Sequence, residues 1–219
     1  MNELQNLRAS LLDKVNYDVN EARKCFNFIV GEDSCKAQRV DSINPRDYAD
    51  GVYICYNDGH NELYDGNNLK DDVRGIGLVV GSHSLCVSLE DIDDATLTNR
   101  EDKSDYDKYI SDWDLARMDY DGAENTKHIQ EIGTNIKLAD EEYIPSLGEL
   151  YLIYLHRYKI NKALSYVYGK QIADEWYWSS TENSAGSAWN LYLSGGSQGS
   201  NSKASDQNRV RPVSAFHTL

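Results

Sequence analysis

The sequence predicts an α+β fold, and three observations carry that prediction. Short runs of β-branched and aromatic residues, separated by turn signals, occupy residues 51–89. A capped apolar stretch with helical spacing follows at 146–168, and strand-like alternation returns after Asp174. Strands, then helices, then strands again, joined by hairpin-length links, point to antiparallel sheets rather than an alternating parallel fold.

Each element has a local reason. Over residues 3–29, Leu4, Leu7, Leu11, Val15, Val19, Ala22 and Phe26 recur at spacings of three and four, one apolar stripe on an amphipathic helix. The stripe suits either packing on the parent domain or an attachment and oligomerisation helix. A turn-rich passage ends near Pro45, so the expected organisation is a helical attachment segment over 1–45 and a ligand-binding domain over 46–219.

Gly51–Tyr56 reads as a strand that ends in the hairpin signal Asn57-Asp58-Gly59. Gly75–Val80 and Ser84–Leu89 form a second pair around Gly81-Ser82-His83, which makes His83 a turn residue rather than a catalytic group. Glu90–Tyr120 is acidic and irregular. It lacks the D-x-[DN]-x-[DN]-G spacing of a calcium loop, so a solvated acidic surface without a metal is expected.

Ser146 and Glu149 form a capping box after Pro145. The helix they start runs through Leu155, and a second is expected from Ile160 to Tyr168, stopped by Gly169. Residues 188–194 alternate: Leu191 and Leu193 turn inward, while Asn190, Tyr192 and Ser194 turn outward.

Composition excludes several functions. A net charge of −14 and a pI near 4.7, with no Lys/Arg cluster, disfavour nucleic acid as a partner. No apolar run reaches the roughly 20 residues of a membrane-spanning helix, so no membrane insertion is expected. The N-terminus mixes acids and amides into its apolar positions, unlike a signal peptide. Cys25, Cys35, Cys55 and Cys86 lack the CxxC spacing of a zinc site and are expected to be free thiols. Sixteen Tyr against three Phe favour half-buried positions and recognition surfaces, where a rigid ring with a polar tip is useful.

The most unusual stretch is 183–208. Asn, Ser and Gly supply more than half of it, and Lys203 and Asp206 are its only charged residues. Trp176-Tyr177-Trp178 precedes it and Val210–Phe216 follows it, so it reads as a displayed surface held by a rigid frame. Gly195–Gly199 spells G-x-S-x-G, with Asp206 and His217 in the order of an α/β-hydrolase. The serine is followed by GSNSKASDQN, which will not form the required helix, so no enzyme is read from it.

Several blocks carry a resemblance to a known family: YIPSLGELYLIY (143–154), INKALS (160–165), YWSSTE (177–182), AWNLYLS (188–194) and VRPVSAF (210–216). DGVYICYNDG and VGSHSLCVSLED fit the same pattern upstream. Across residues 47–216 the sequence resembles the variable proteins of diversity-generating retroelements of gut bacteria and their phages. That resemblance implies a C-type lectin-like fold of the formylglycine-generating-enzyme-like subgroup, with short antiparallel strands, two central helices and an added N-terminal helix. It also implies a variable region over about 176–216.

In such proteins adenine-directed mutagenesis rewrites the variable region. Asn codons altered at their adenines reach Ser, Gly, Asp and Tyr, the residues abundant here. The implied ligand-binding positions are Asn190, Tyr192, Ser194, Ser197, Gln198, Ser200, Asn201, Ser205, Asp206 and Asn208, and Gln198 fits that codon route least well. Trp178, Trp189, Val210, Val213 and Phe216 would be the constant frame.

Neither the calcium motifs of sugar-binding lectins nor the late cysteine pair of the oxidases is present, so no cofactor, metal or catalytic residue is expected. The implied role is a binding module for a cell-surface protein or glycan. The N-terminal helix would join it to a virion partner or a second copy. Without an export signal, a phage tail is expected ahead of a bacterial adhesin. The alternative is a structural assembly subunit with a static domain.

Overall fold

The computed structural model describes residues 48–99 and 109–216, which belong to one compact unit, Asp47–Leu219. The expected helix over 3–29, Cys25, Cys35, His217 and part of the acidic stretch lie outside the described residues.

The fold is mixed α+β, mostly sheet with few helices. With strands numbered in chain order, the first sheet holds β1 (Gly51–Tyr56), β2 (Asn61–Leu63), β3 (Val73–Val80), β4 (His83–Ser88) and β10 (Val213–Ser214). Their order is β10-β4-β3-β1-β2, all antiparallel. The expected hairpins are both present, and Gly81-Ser82 alone links β3 to β4. In the middle strand, a Cβ at Gly77 would lie 2.8 Å from Cys55 Sγ, and one at Gly75 2.6 Å from Cys86 Sγ. The missing side chains leave room for these two buried, free thiols.

The second sheet holds β5 (Ile92–Ala95), β6 (Trp176–Ser184), β7 (Ser187–Tyr192), β8 (Ser197–Ser202) and β9 (Asn208–Val210), in the order β5-β9-β6-β7-β8. Its pairs are antiparallel except β6 with β9. The Asn/Ser/Gly-rich stretch is therefore not an irregular loop: most of it is the β7–β8 hairpin and its edge strand.

Three helices are described: α1 (Trp113–Ala116), α2 (Gly122–Ile132) and α3 (Leu147–Tyr166). Ser146 and Glu149 form the expected capping box at the start of α3. The expected pair of helices is one continuous helix. The polar run His156–Lys159 suggested a break, yet the buried positions Leu150, Ile153, Ile160 and Leu164 continue straight through it. Arg157 occupies the missing stripe position, donating to the Leu193 carbonyl and pairing with Asp174 at 2.6 Å.

The stop also differs from expectation. Tyr168, not Gly169, takes the left-handed conformation (φ 63°), and the Gly169 N–H donates to Leu164 O at 2.8 Å. This is a Schellman closure with a non-glycine residue at the strained position. Helix α2 had no apolar stripe to announce it, because its buried face is Gly122, Asn125, Thr126 and Ile129.

The main core packs α3 against both sheets, with Ile54, Ile76 and Val87 on one side and Tyr177, Trp189 and Leu191 on the other. A second core gathers Leu97, Ile129, Ile136, Ile144, Trp178, Ala188 and Val210. The acidic stretch is not wholly solvated. The Asp91 side chain is buried, pairs with the buried Arg211 Nε at 2.6 Å and accepts from Tyr177 Oη at 3.0 Å. Burial and the Asp91 charge push the Tyr177 phenol above its ordinary range. The partners come from β6 and the β9–β10 link, so no local pattern could reveal the pair.

Candidate binding surface

The frame residues named from the sequence, Trp178, Trp189, Val210, Val213 and Phe216, are all buried. Truncating a side chain such as Trp178 would remove about 3–5 kcal/mol. Both Trp178 and Trp189 also satisfy their indole N–H groups, on Ala95 O and Ile110 O, each at 2.7 Å. Strands β6 and β7 are thereby pinned from both faces, and they hold β8 in register.

That register sorts the candidate residues. Trp176 pairs with Tyr192, Trp178 with Asn190, Tyr192 with Ser197, Asn190 with Gly199 and Ala188 with Asn201. Alternation then puts Trp176, Trp178, Ala188, Asn190, Tyr192, Ser197, Gly199 and Asn201 on one face. One end of that face, at Trp178 and Ala188, lies under the second core. The other end, at Trp176, Tyr192 and Ser197, opens to solvent. A single sheet face thus changes from interior to surface along its length.

At the open end the Trp176 and Tyr192 rings lie 5.4 Å apart at 42°. The indole reaches across β7: a Cβ on Gly199 would come 3.2 Å from its Cζ3 and 2.7 Å from Asn190 Oδ1. The β7–β8 turn closes with Gly196 N–H on Tyr192 O at 2.8 Å. Gly196 adopts φ 69°, and a Cβ there would sit 2.6 Å from the Tyr154 ring. Both the left-handed backbone and the close approach require glycine.

Three of the candidates are buried: Asn190, which alternation turned outward, and Gln198 and Asn208, which the resemblance implied as contacts. Asn190 is only 1% exposed, because Trp176 overhangs it and the second core begins beside it. Gln198 is on the opposite face and buried. Its Oε1 accepts from Arg117 Nε at 2.9 Å and Tyr151 Oη at 3.3 Å, so it joins α1 and α3 to the edge strand. Asn208 is buried in β9, opposite Ala95.

The remaining candidates separate as well. Ser194 lies exposed in the β7–β8 turn, and Ser200 sits on the Gln198 face opposite Trp189. Ser205 and Asp206 belong to the β8–β9 turn at the far end of β8, where Asp206 Oδ2 accepts from Ser202 N–H at 2.8 Å. The structure therefore brings together Tyr192, Ser197 and, beneath the indole, Asn190, with Asn201 further along the same face.

Sequence reasoning missed Trp176 and Gly199 as part of this surface. Alternation relates residues only within a strand, so nothing local linked them to Tyr192; the β6–β7–β8 register does. It also missed the aromatic group on the other face. There Trp113 packs edge-on against Trp189 at 5.7 Å, and the Arg117 guanidinium lies 4.8 Å from the Tyr151 ring. Lys203, one of the two charged residues of the polar stretch, is buried and pairs with the equally buried Glu182 at 2.5 Å.

The hydrolase spelling also takes a different form in space. Ser197 opens a strand rather than a helix, and Asp206 is at the opposite end of that strand. Among the described residues, no group of three or more His, Cys, Asp or Glu could hold a metal ion, and no helix is long and apolar enough to cross a membrane.

No protein-family model matches the chain, and no curated protein matches it. Among solved structures, the fold is similar to that of a fimbrial protein from Bacteroides ovatus, with a TM-score of 0.54 at 17% sequence identity. The match covers 76% of this chain and 48% of that protein, so the chain spans about half its length. At that identity the likeness is one of fold.

Proposed function

We propose that this chain is a non-enzymatic display protein that recognises a cell-surface ligand through the open end of the β6–β7–β8 face. One observation carries the reading. Small polar side chains and two half-exposed aromatic rings stand on strands whose opposite ends are locked into the core. A surface built on strands holds its geometry better than one built on loops.

The fold is assigned to the C-type lectin-like class, with the chain as a diversified variable protein. The support is the resemblance across 47–216 and the position of the Asn/Ser/Gly-rich stretch on a sheet edge rather than in a linker. Likeness to a fimbrial protein supports the bacterial cell exterior over the phage tail expected from the sequence.

The test is binding of labelled protein to a panel of bacterial and host cells. Tyr192→Ala combined with Ser197→Arg should abolish binding while the thermal midpoint stays in place. Unchanged binding would return the chain to a static assembly role. Diversification is tested at the gene: a nearby imperfect copy of the 176–216 coding region, differing at adenines and accompanied by a reverse transcriptase gene, is expected.

A further inference from the structure

The exposed indole and the buried amide beneath it specify more than a generic surface. Trp176 is 36% exposed although its ring reaches from β6 toward Gly199 in β8, so part of the indole faces solvent above the sheet. Gly199 permits this pose, since any side chain there would meet both the indole and Asn190. Asn190 Oδ1 is buried without a hydrogen-bond partner among the described residues. Burying such an acceptor unpaired carries its full desolvation penalty, which a ligand donor would relieve.

Charge narrows the ligand. Residues 183–202 contain no ionisable group other than the Tyr192 phenol, and the two charged residues that follow point elsewhere. Lys203 is buried against Glu182, and Asp206 closes the far turn. Arg157, near the β7–β8 turn, is engaged by Asp174 and the Leu193 carbonyl. Among the described residues, no cation lies over the Trp176 ring. Of the exposed apolar side chains, Trp113, Leu115 and Met118 belong to a segment packed on the opposite face, and Leu155 and Tyr158 lie on α3.

We propose that the open end binds a neutral saccharide, a sugar ring stacked on the solvent face of Trp176. Ring C–H groups carry partial positive charge and meet the negative π-face of the indole. The hydroxyl edge meets Ser197 and Tyr192, and Asn190 Oδ1, sealed from solvent in the free chain, accepts a hydroxyl once the indole shifts aside. This inference rests on the recognition role proposed above and names the ligand class for the same surface.

The experiment uses the full chain against immobilised neutral oligosaccharides of gluco, manno, galacto and xylo configuration, with sialylated and sulfated glycans alongside. Binding to at least one neutral saccharide is expected. Trp176→Ala should weaken it by about tenfold or more, the scale of a lost aromatic anchor, with an unchanged thermal midpoint. Trp176→Phe should retain most of it. Gly199→Ala, which disturbs the indole without removing it, should also weaken binding.

Three results would overturn the proposal: no neutral saccharide bound at millimolar sugar, binding confined to the acidic glycans, or equal binding by Trp176→Ala. If cells are still bound through Tyr192 and Ser197 while no saccharide competes, the saccharide assignment fails and the recognition role stands. If cell binding is also insensitive to those residues, both fail.

Discussion

Lys203 offers the sharpest check on the claim that the polar stretch is a rigid surface. Its ammonium is 2.5 Å from Glu182 Oε1, with side-chain exposures of 3% and 1%. The pair ties the start of the β8–β9 turn to the C-terminal part of β6. Backbone bonds reinforce the tie: Lys203 N–H donates to Gly186 O and Thr98 N–H to Lys203 O, both at 3.0 Å.

Lys203→Met keeps the volume but strands the Glu182 carboxylate in the interior. Removing one partner of a buried pair costs about 3–5 kcal/mol, whereas an exposed pair is worth about 0–1 kcal/mol. The double substitution Glu182→Leu with Lys203→Met removes both charges and should recover most of the loss. Urea unfolding of the wild type, both single variants and the double variant closes the cycle. A Lys203→Met loss under about 1 kcal/mol, or a double variant no better than the single, would show that the pair is not buried in solution. The 203–206 turn would then be a solvated loop.

Glu149 should make stability depend on pH. Burial raises its carboxyl from 4.5 to about 6, so the folded chain holds a proton that the unfolded chain releases. Its contribution is full below about pH 4.5 and is lost as pH rises through about 6; at about 1.4 kcal/mol per pH unit this is worth about 2 kcal/mol. Glu149→Gln, which can keep the capping box, should flatten the thermal midpoint between those pH values relative to wild type. An unchanged difference across that interval would count against it. Gln198→Leu should lower stability by about 1–2 kcal/mol through the lost Arg117 and Tyr151 bonds and speed amide exchange over 113–117. Loss of ligand binding without either effect would mean that Gln198 contacts ligand rather than holding α1.

Most of what rested on local signals was legible in the sequence, the Gly169 helix stop excepted. The hairpin residues Asn57-Asp58-Gly59 and Gly81-Ser82, the Ser146–Glu149 capping box and the Leu191/Leu193 alternation each rest on neighbours a few residues apart. Tertiary structure decided what depends on distant partners. Arg157 completes the apolar stripe of α3 because Leu193 and Asp174 receive its guanidinium, so a polar residue continues a helix that looked broken.

The same limit applied at the surface. Alternation correctly gave Asn190 the parity of Tyr192, but burial depends on what covers the sheet, and Trp176 together with the second core covers Asn190 while Tyr192 stays half-exposed. Lys203 and Asp91 carried the composition of a solvated surface. Charges separated by many residues in the chain became their buried counterparts. Periodicity reports which way a side chain points; only packing decides whether water is there.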